Sequence, residues 1–295
     1  MSQNPEAGPT PYCYRHNDRE TYIVCQRCGR SICPDCMRQA SVGYHCPECV
    51  AEAARSVRQP RTVAGGLAPG QVGVVSYALI AINVLAFIGQ LATGIEDGDV
   101  TLWGGMVNEL TRYQLTDGSI VQVDGVSGGE WWRVVSSGFL HFGFLHILFN
   151  MYALYLFGPM LERMLGNIRF LAMYATSLLG GSLAVYLFAD PHTLTAGASG
   201  AIFGLLGCTL VLFLQHGYDV RFLLGLLAIN AVITVVFEGI SWQAHLGGFV
   251  AGVLTGALLG FAPRKGRTYV QLAGLAVLWI AMAAAFVLRT GQLTA

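Results

Sequence analysis

The chain has 295 residues, of which 54% are apolar and only 12% charged, with no formal net charge and a mean hydropathy of +0.54. That balance excludes an ordinary soluble domain, in which charged residues make up about a quarter of the chain, and it lacks the basic clusters that would make nucleic acid an expected partner. The bulk of the protein is expected in lipid.

Residues 1–10 are polar and Pro-containing and are read as a disordered tail. No positive stretch leading into a short apolar run precedes the first cysteine, so the N-terminus is expected to be retained. Seven of the eight cysteines lie between Cys13 and Cys49. Residues 1–70 carry eight Arg against six acids, which points to the cytoplasmic side, and in that reducing compartment such thiols serve metals sooner than disulfides. The pairs are Cys13-x2-His16, Cys25-x2-Cys28, Cys33-x2-Cys36 and Cys46-x2-Cys49. Eight thiolate or imidazole donors suit two tetrahedral structural Zn2+ ions, and a segment of residues 11–50 too small for a real core would owe its fold to them. The spacing resembles B-box-like cross-braced fingers, a resemblance that implies one ion shared by pairs one and three and the other by pairs two and four. Spacing alone leaves open sequential pairing, and His45 in place of Cys46. Such a module is either a folded appendage or a binder of an unidentified cytoplasmic partner. Residues 51–70 read as a flexible linker.

Beyond the linker, seven stretches are apolar enough to cross a bilayer: roughly 72–93, 144–162, 168–188, 198–216, 221–238, 244–262 and 270–289. Arg163, Arg169, Arg221, Arg264, Lys265 and Arg267 fall on the even connections, whereas the long connection 94–143 carries seven acids against Arg112 and Arg133. The expected topology is N-terminus inside and C-terminus outside. Its Leu102–Tyr113 stretch suits the membrane interface. Sixteen Arg against one Lys is the usage of a GC-rich bacterial gene, so the membrane is taken as a bacterial plasma membrane.

Polar side chains within spans are costly and mark function or specific helix contacts. His146 and Asn150 are four residues apart and share one helix face. Ser199 lies in Gly197-Ala198-Ser199-Gly200, where small neighbours expose its hydroxyl and amide. A serine needs a base to become a nucleophile, and His245 opens a later span. That span has a small-residue stripe, Ala244, Gly248, Gly252 and Gly256, suited to close helix packing that would bring His245 within hydrogen-bond reach of Ser199. Glu162 is read as a structural partner at the cytoplasmic end, Asn230 as an interhelical hydrogen-bond partner, and Cys208 as a buried apolar residue.

These residues, in this order, resemble the rhomboid family: His141-Phe142-Gly143-Phe144-Leu145-His146-Ile147-Leu148-Phe149-Asn150, then Gly158, Glu162 and Gly166, the GASG around Ser199, and Ala244-His245. The resemblance implies an α-helical polytopic membrane protein with a six-helix core (71–263) and a seventh C-terminal transmembrane helix (264–295). It also implies a serine endopeptidase with a Ser199/His245 dyad, acting without a catalytic cofactor on transmembrane protein substrates. His146, Asn150 and the Ser199 amide would stabilise the oxyanion. Trp132 and Arg133 would brace the external loop, and Phe203 would stack on His245 in place of a tyrosine found in some members. The rival readings are an inactive relative that binds membrane proteins, and a transporter. Retention of all four polar residues argues against the first, and the lack of a charged set in mid-span against the second.

Overall fold

A computed structural model describes residues 11–56, 60–237 and 239–295, so the expected disordered tail of 1–10 lies outside the described residues. The chain divides into two compact units, Met1–Pro60 and Arg61–Ala295.

The first unit has little regular structure. A short hairpin pairs β1 (Arg38–Gln39) with β2 (Tyr44–His45), and α1 (Pro47–Ser56) comes next. Its buried apolar set is Ile32 surrounded by six cysteines, which is too little to fold forty residues by burial alone.

The second unit is a helical bundle. Helix α2 (Val74–Thr93) is followed by a long connecting segment holding α3 (Asp99–Gly104), the hairpin β3 (Thr111–Gln114) with β4 (Ile120–Val123), and α4 (Arg133–Ser136). Then come α5 (Phe144–Leu165), α6 (Asn167–Phe188), α7 (Ser199–His216), α8 (Arg221–Val236), α9 (Trp242–Phe261) and α10 (Arg267–Leu293). Among the described residues six helices are long and apolar enough to cross a membrane. Helix α8, expected to reach residue 238, stops at Val236 after 16 residues, about 24 Å of rise against roughly 30 Å of hydrocarbon. It is the short member of a seven-helix set.

Packing is governed by the small residues. A Cβ placed on Gly248 would overlap the Gly200 carbonyl oxygen, and one on Gly252 the Gly204 carbonyl oxygen. Helices α7 and α9 therefore meet backbone to backbone, which only glycine allows. Cys208 is fully buried beside Gly256 as expected of a small apolar residue.

Glu162 acts as a cap. Its fully buried carboxylate accepts from the Val75 and Ser76 amides (3.2 and 3.1 Å) and the Ser76 hydroxyl (2.9 Å) at the start of α2. Those amides have no intrahelical acceptor, and the positive end of the helix dipole favours an anion there. Gly158, one turn earlier, leaves room for Ser76: a Cβ there would sit 2.6 Å from Ser76 Oγ. We expect Glu162→Ala to lower the stability of the membrane unit by about 3 kcal/mol, because charged hydrogen bonds are lost and two buried amides stranded. Thermal unfolding in detergent measures this, and an unchanged midpoint would refute the cap.

The expected linker 51–70 needs correction at both ends. Residues 51–56 continue α1, and residues 61–67 pack on the bundle. The Thr62 hydroxyl donates to the Leu165 carbonyl, Gln271 Nε2 to the Ala64 carbonyl at 3.0 Å, and Arg267 to the Val63 carbonyl at 2.9 Å. Composition alone reads Gly-Gly as flexible, but here Gly65 is pressed against Arg267, and Gly66 against Arg169 and the end of α5. The seventh helix has a visible purpose. Gln271 ties it to the 61–67 segment, and Trp279 Nε1 donates to Thr176 Oγ1 of α6 at 2.9 Å.

Candidate functional site

Ser199 is the first residue of α7, after Gly197 at φ +146°. Position matters, because the opening amides of a helix lack internal acceptors. Among the described residues the Ser199 amide donates to no backbone carbonyl, and it stands at the positive end of α7.

His146, in the first turn of α5, accepts at Nδ1 from the Phe142 amide (3.2 Å). An imidazole nitrogen that accepts holds a lone pair, so the proton sits on Nε2. That nitrogen points at the start of α7. A Cβ built on Gly197 would be 2.8 Å from His146 Nε2 and 3.5 Å from Ser199 Oγ, so glycine keeps this point open between donor and hydroxyl. Asn150, one turn along, is buried and donates through Nδ2 to the His146 carbonyl at 2.9 Å, which leaves a second N–H.

His245, in the first turn of α9, stacks on Phe203 with ring centroids 4.0 Å apart and planes 12° from parallel. The stack expected from the sequence is present without a tyrosine hydroxyl. Its Nδ1 lies 2.8 Å from the Thr234 hydroxyl of α8, a residue that sequence reasoning missed, since threonine in a span carries no signal of its own. The expected hydrogen bond between Ser199 and His245 is not among those formed by the described residues. The imidazole is held by Phe203 and Thr234 instead. Asn230 also needs correction. Its amide back-bonds to Leu226 of its own helix and its carbonyl accepts from Thr234, because a short amide reaches the preceding turn before a neighbouring helix.

Ser199, His245, His146, Asn150 and Phe203 line one cavity of about 1480 Å³ that reaches Thr234 on α8 and Leu194 before α7. The segment that brings Met106 and Ser137 to this cavity is braced by Arg133. That guanidinium is nearly fully buried, donates to the Leu102 and Gly105 carbonyls at 2.6 and 2.7 Å, and pairs with Glu130 at 2.7 Å. Trp132 donates to the Trp103 carbonyl and stacks on its ring. An isolated bridge from Met106 to Thr195 then joins this braced segment to the strand-like run leading into Ser199.

Residues 128–261 match the Rhomboid domain. YdcA, a candidate rhomboid protease of Bacillus subtilis (strain 168), is 39% identical over 150 residues, which are 49% of this chain and 74% of that protein. The chain belongs to the rhomboid family. The rhomboid protease GluP of the same organism is 32% identical over 221 residues, 72% of this chain but 39% of that protein. RHOMBOID-like protein 4 of Arabidopsis thaliana is 36% identical over 148 residues, 48% of this chain and 37% of its own length. The matched domain runs from just before the Trp132-Arg133 brace to the end of α9, so it contains the serine, both histidines and Asn150, and stops short of α10 and the cysteine-rich unit.

The cysteine-rich unit of this rhomboid protein holds two donor sets, Cys13-His16-Cys33-Cys36 and Cys25-Cys28-Cys46-Cys49, each with its ligand atoms within 4.8 Å of one another. The sets join pair one with pair three and pair two with pair four, and the second set contains Cys46 and not His45. His16 Nδ1 lies 3.8, 3.2 and 3.4 Å from the sulfurs of Cys13, Cys33 and Cys36. A tetrahedron with zinc-ligand bonds of ~2.0–2.3 Å has edges of roughly 3.3–3.8 Å, so the donors fit such an ion. The electrostatics agree. The Arg30 guanidinium beside Cys28 brings that thiol down to about 6, while burial pushes Cys36 up to about 11 and Cys49 up to about 12. Each set thus mixes an easily ionised thiol with a reluctant one, since at Cys13 burial is outweighed by the amides of Cys33, Arg15 and His16 and that thiol too is lowered. With their thiols ionised, three beside His16 in one set and four in the other, both sets would need a cation between the donors.

Proposed function

We propose that this rhomboid protein is an intramembrane serine endopeptidase that cuts peptide bonds in or beside substrate transmembrane helices. The observation that supports it best is the convergence at one cavity of a helix-first serine, a histidine held at Nδ1, and a second histidine with its proton on the opposite nitrogen. Ser199 Oγ attacks the scissile carbonyl carbon as its proton passes to His245 Nε2. The resulting oxyanion is met by the Ser199 amide, His146 Nε2–H and Asn150 Nδ2–H, preorganised donors of the kind that carry much of acyl-transfer catalysis. The C–N bond then breaks, His245 gives the proton to the leaving amine, and water releases the acyl group from Ser199 by the same route.

The loop charges support a cytoplasmic N-terminus and a site toward the external face of a bacterial plasma membrane. Helices of other membrane proteins are the substrates this placement favours. The two cross-braced donor sets would hold Zn2+ as structural ions, with no part in the hydrolysis. An inactive membrane-protein binder remains the second reading only in so far as Ser199 and His245 are not hydrogen-bonded here. Labelling of the full-length protein with a fluorophosphonate probe separates the two: the protease labels at Ser199, and a Ser199→Ala chain does not. Absence of labelling together with absence of cleavage would favour the binder.

Asn150→Ala should cut turnover on the order of a hundredfold, the usual cost of one oxyanion donor, while Ser199 still labels slowly. Steady-state cleavage of a membrane-spanning reporter measures it, and an unaltered rate returns Asn150 to helix packing.

A further inference from the structure

We propose that Thr234 is a positioning residue that selects the working tautomer of His245, an inference that rests on the protease reading above. A threonine hydroxyl has one proton and two lone pairs. The proton of Thr234 is committed to the Asn230 carbonyl at 2.8 Å, in the preceding turn of α8. What the hydroxyl offers His245 Nδ1, also at 2.8 Å, is therefore a lone pair. Nδ1 must carry the ring proton to use it, and Nε2 is left as the unprotonated nitrogen, the atom a general base needs.

The arrangement mirrors His146 across the cavity, where the Phe142 amide donates to Nδ1 and so sends the proton to Nε2. Two neutral histidines of one site are thus set in opposite tautomers by one hydrogen bond each, one to accept a proton and one to donate a hydrogen bond. When His245 becomes an imidazolium both of its nitrogens donate, and Thr234 continues to accept, so the contact persists through the proton transfer. It is the neutral counterpart of the third group that orients the base in serine hydrolases. Phe203 fixes the plane of the ring but cannot choose between its nitrogens. Among the described residues this is also the one side-chain hydrogen bond from α8 to another helix, on a helix whose only buried residue is Leu223. The base is thereby seated by a helix that has little else holding it.

The test uses the full-length protein in detergent and in vesicles, with Thr234→Val, which keeps shape and loses the hydroxyl, against Thr234→Ser, which keeps the hydroxyl. A membrane-spanning reporter gives kcat and KM, fluorophosphonate labelling gives the reactivity of Ser199, and thermal unfolding reports integrity. The valine variant should lose roughly tenfold to a hundredfold in kcat and in labelling rate, a fraction of a full general-base contribution, with KM within about twofold and an unchanged unfolding midpoint. The serine variant should recover most of the wild-type rate. Equal kcat in Thr234→Val and wild type, a loss confined to KM, or a serine variant as impaired as the valine one would each overturn the assignment. Should the valine variant fail to insert, Thr234→Ser against Thr234→Ala makes the same comparison. A wild-type chain that neither cleaves nor labels overturns the protease reading itself, and the inference with it.

Discussion

Ser199→Ala and His245→Ala are each expected to reduce cleavage of a membrane-spanning reporter by on the order of 10⁴-fold or more, and the double variant to be little worse than either single one. Nucleophile and base act as one unit, so removing one leaves the other with nothing to do. On the proposed mechanism, what would survive is the stabilisation offered by His146, Asn150 and the opening of α7. Neither substitution touches the backbone contacts between α7 and α9 or the Glu162 cap, so both chains should insert, and the Ser199→Ala chain should unfold as the wild type does. His245→Ala removes the ring that stacks on Phe203 and will show a modest drop in midpoint on that account. Turnover by a correctly folded Ser199→Ala chain within tenfold of wild type would remove Ser199 from the chemistry.

The second large effect concerns the metal. The cysteine-rich unit should carry two zinc ions per chain and lose its fold when they are chelated, because Ile32 with its cysteines is nearly all the core it has. Ligand thiols must be deprotonated to bind, so affinity should fall with acidity. Cys28 and Cys13, held down to about 6, are ready ligands at neutral pH. Cys36 and Cys49 ionise in that range only through the ion itself, and binding should release protons there. Metal analysis and circular dichroism across pH 5 to 8 check this; a module that stays folded without metal would refute it. Cys25→Ser with Cys28→Ser should remove one ion and leave the other.

A chain beginning at Arg61 should keep hydrolytic activity, since the cavity and its brace lie wholly within the second unit. One beginning at Gly70 should be less stable, because it loses the Thr62, Val63 and Ala64 contacts to α5 and α10. An Arg61 chain that inserts correctly yet cleaves nothing would make the cysteine-rich unit part of the catalytic machinery.

Much was determined by the sequence itself, through signals that operate at short range or by composition. Runs of apolar residues at lipid thickness locate helices because no other backbone conformation satisfies its own polar groups there. Cysteine pairs with two residues between them announce metal donors, and a polar or ionisable residue within a span is conspicuous by its cost, which is how Ser199, His245, His146, Asn150 and Glu162 stood out. The four-residue glycine stripe of α9 foretold a backbone contact, and the structure shows its partner to be α7.

Tertiary structure alone decided what each polar group points at. Spacing left two zinc pairings open, and only the folding of residues 11–49 into proximity chose the crossed one with Cys46. Asn230 was expected to reach another helix, but the nearest acceptor was a turn away on its own. Glu162 was legible as a partner, yet its partner is the start of α2, 86 residues earlier in the chain. Residues 61–67 looked flexible because glycine tolerates many conformations, and they are ordered because α10, distant in sequence, supplies their hydrogen bonds. Thr234 gave no signal at all. A hydroxyl in a helix is satisfied by its own backbone and costs the membrane little, so its second contact, with His245, exists only where the last turn of α8 meets the first turn of α9.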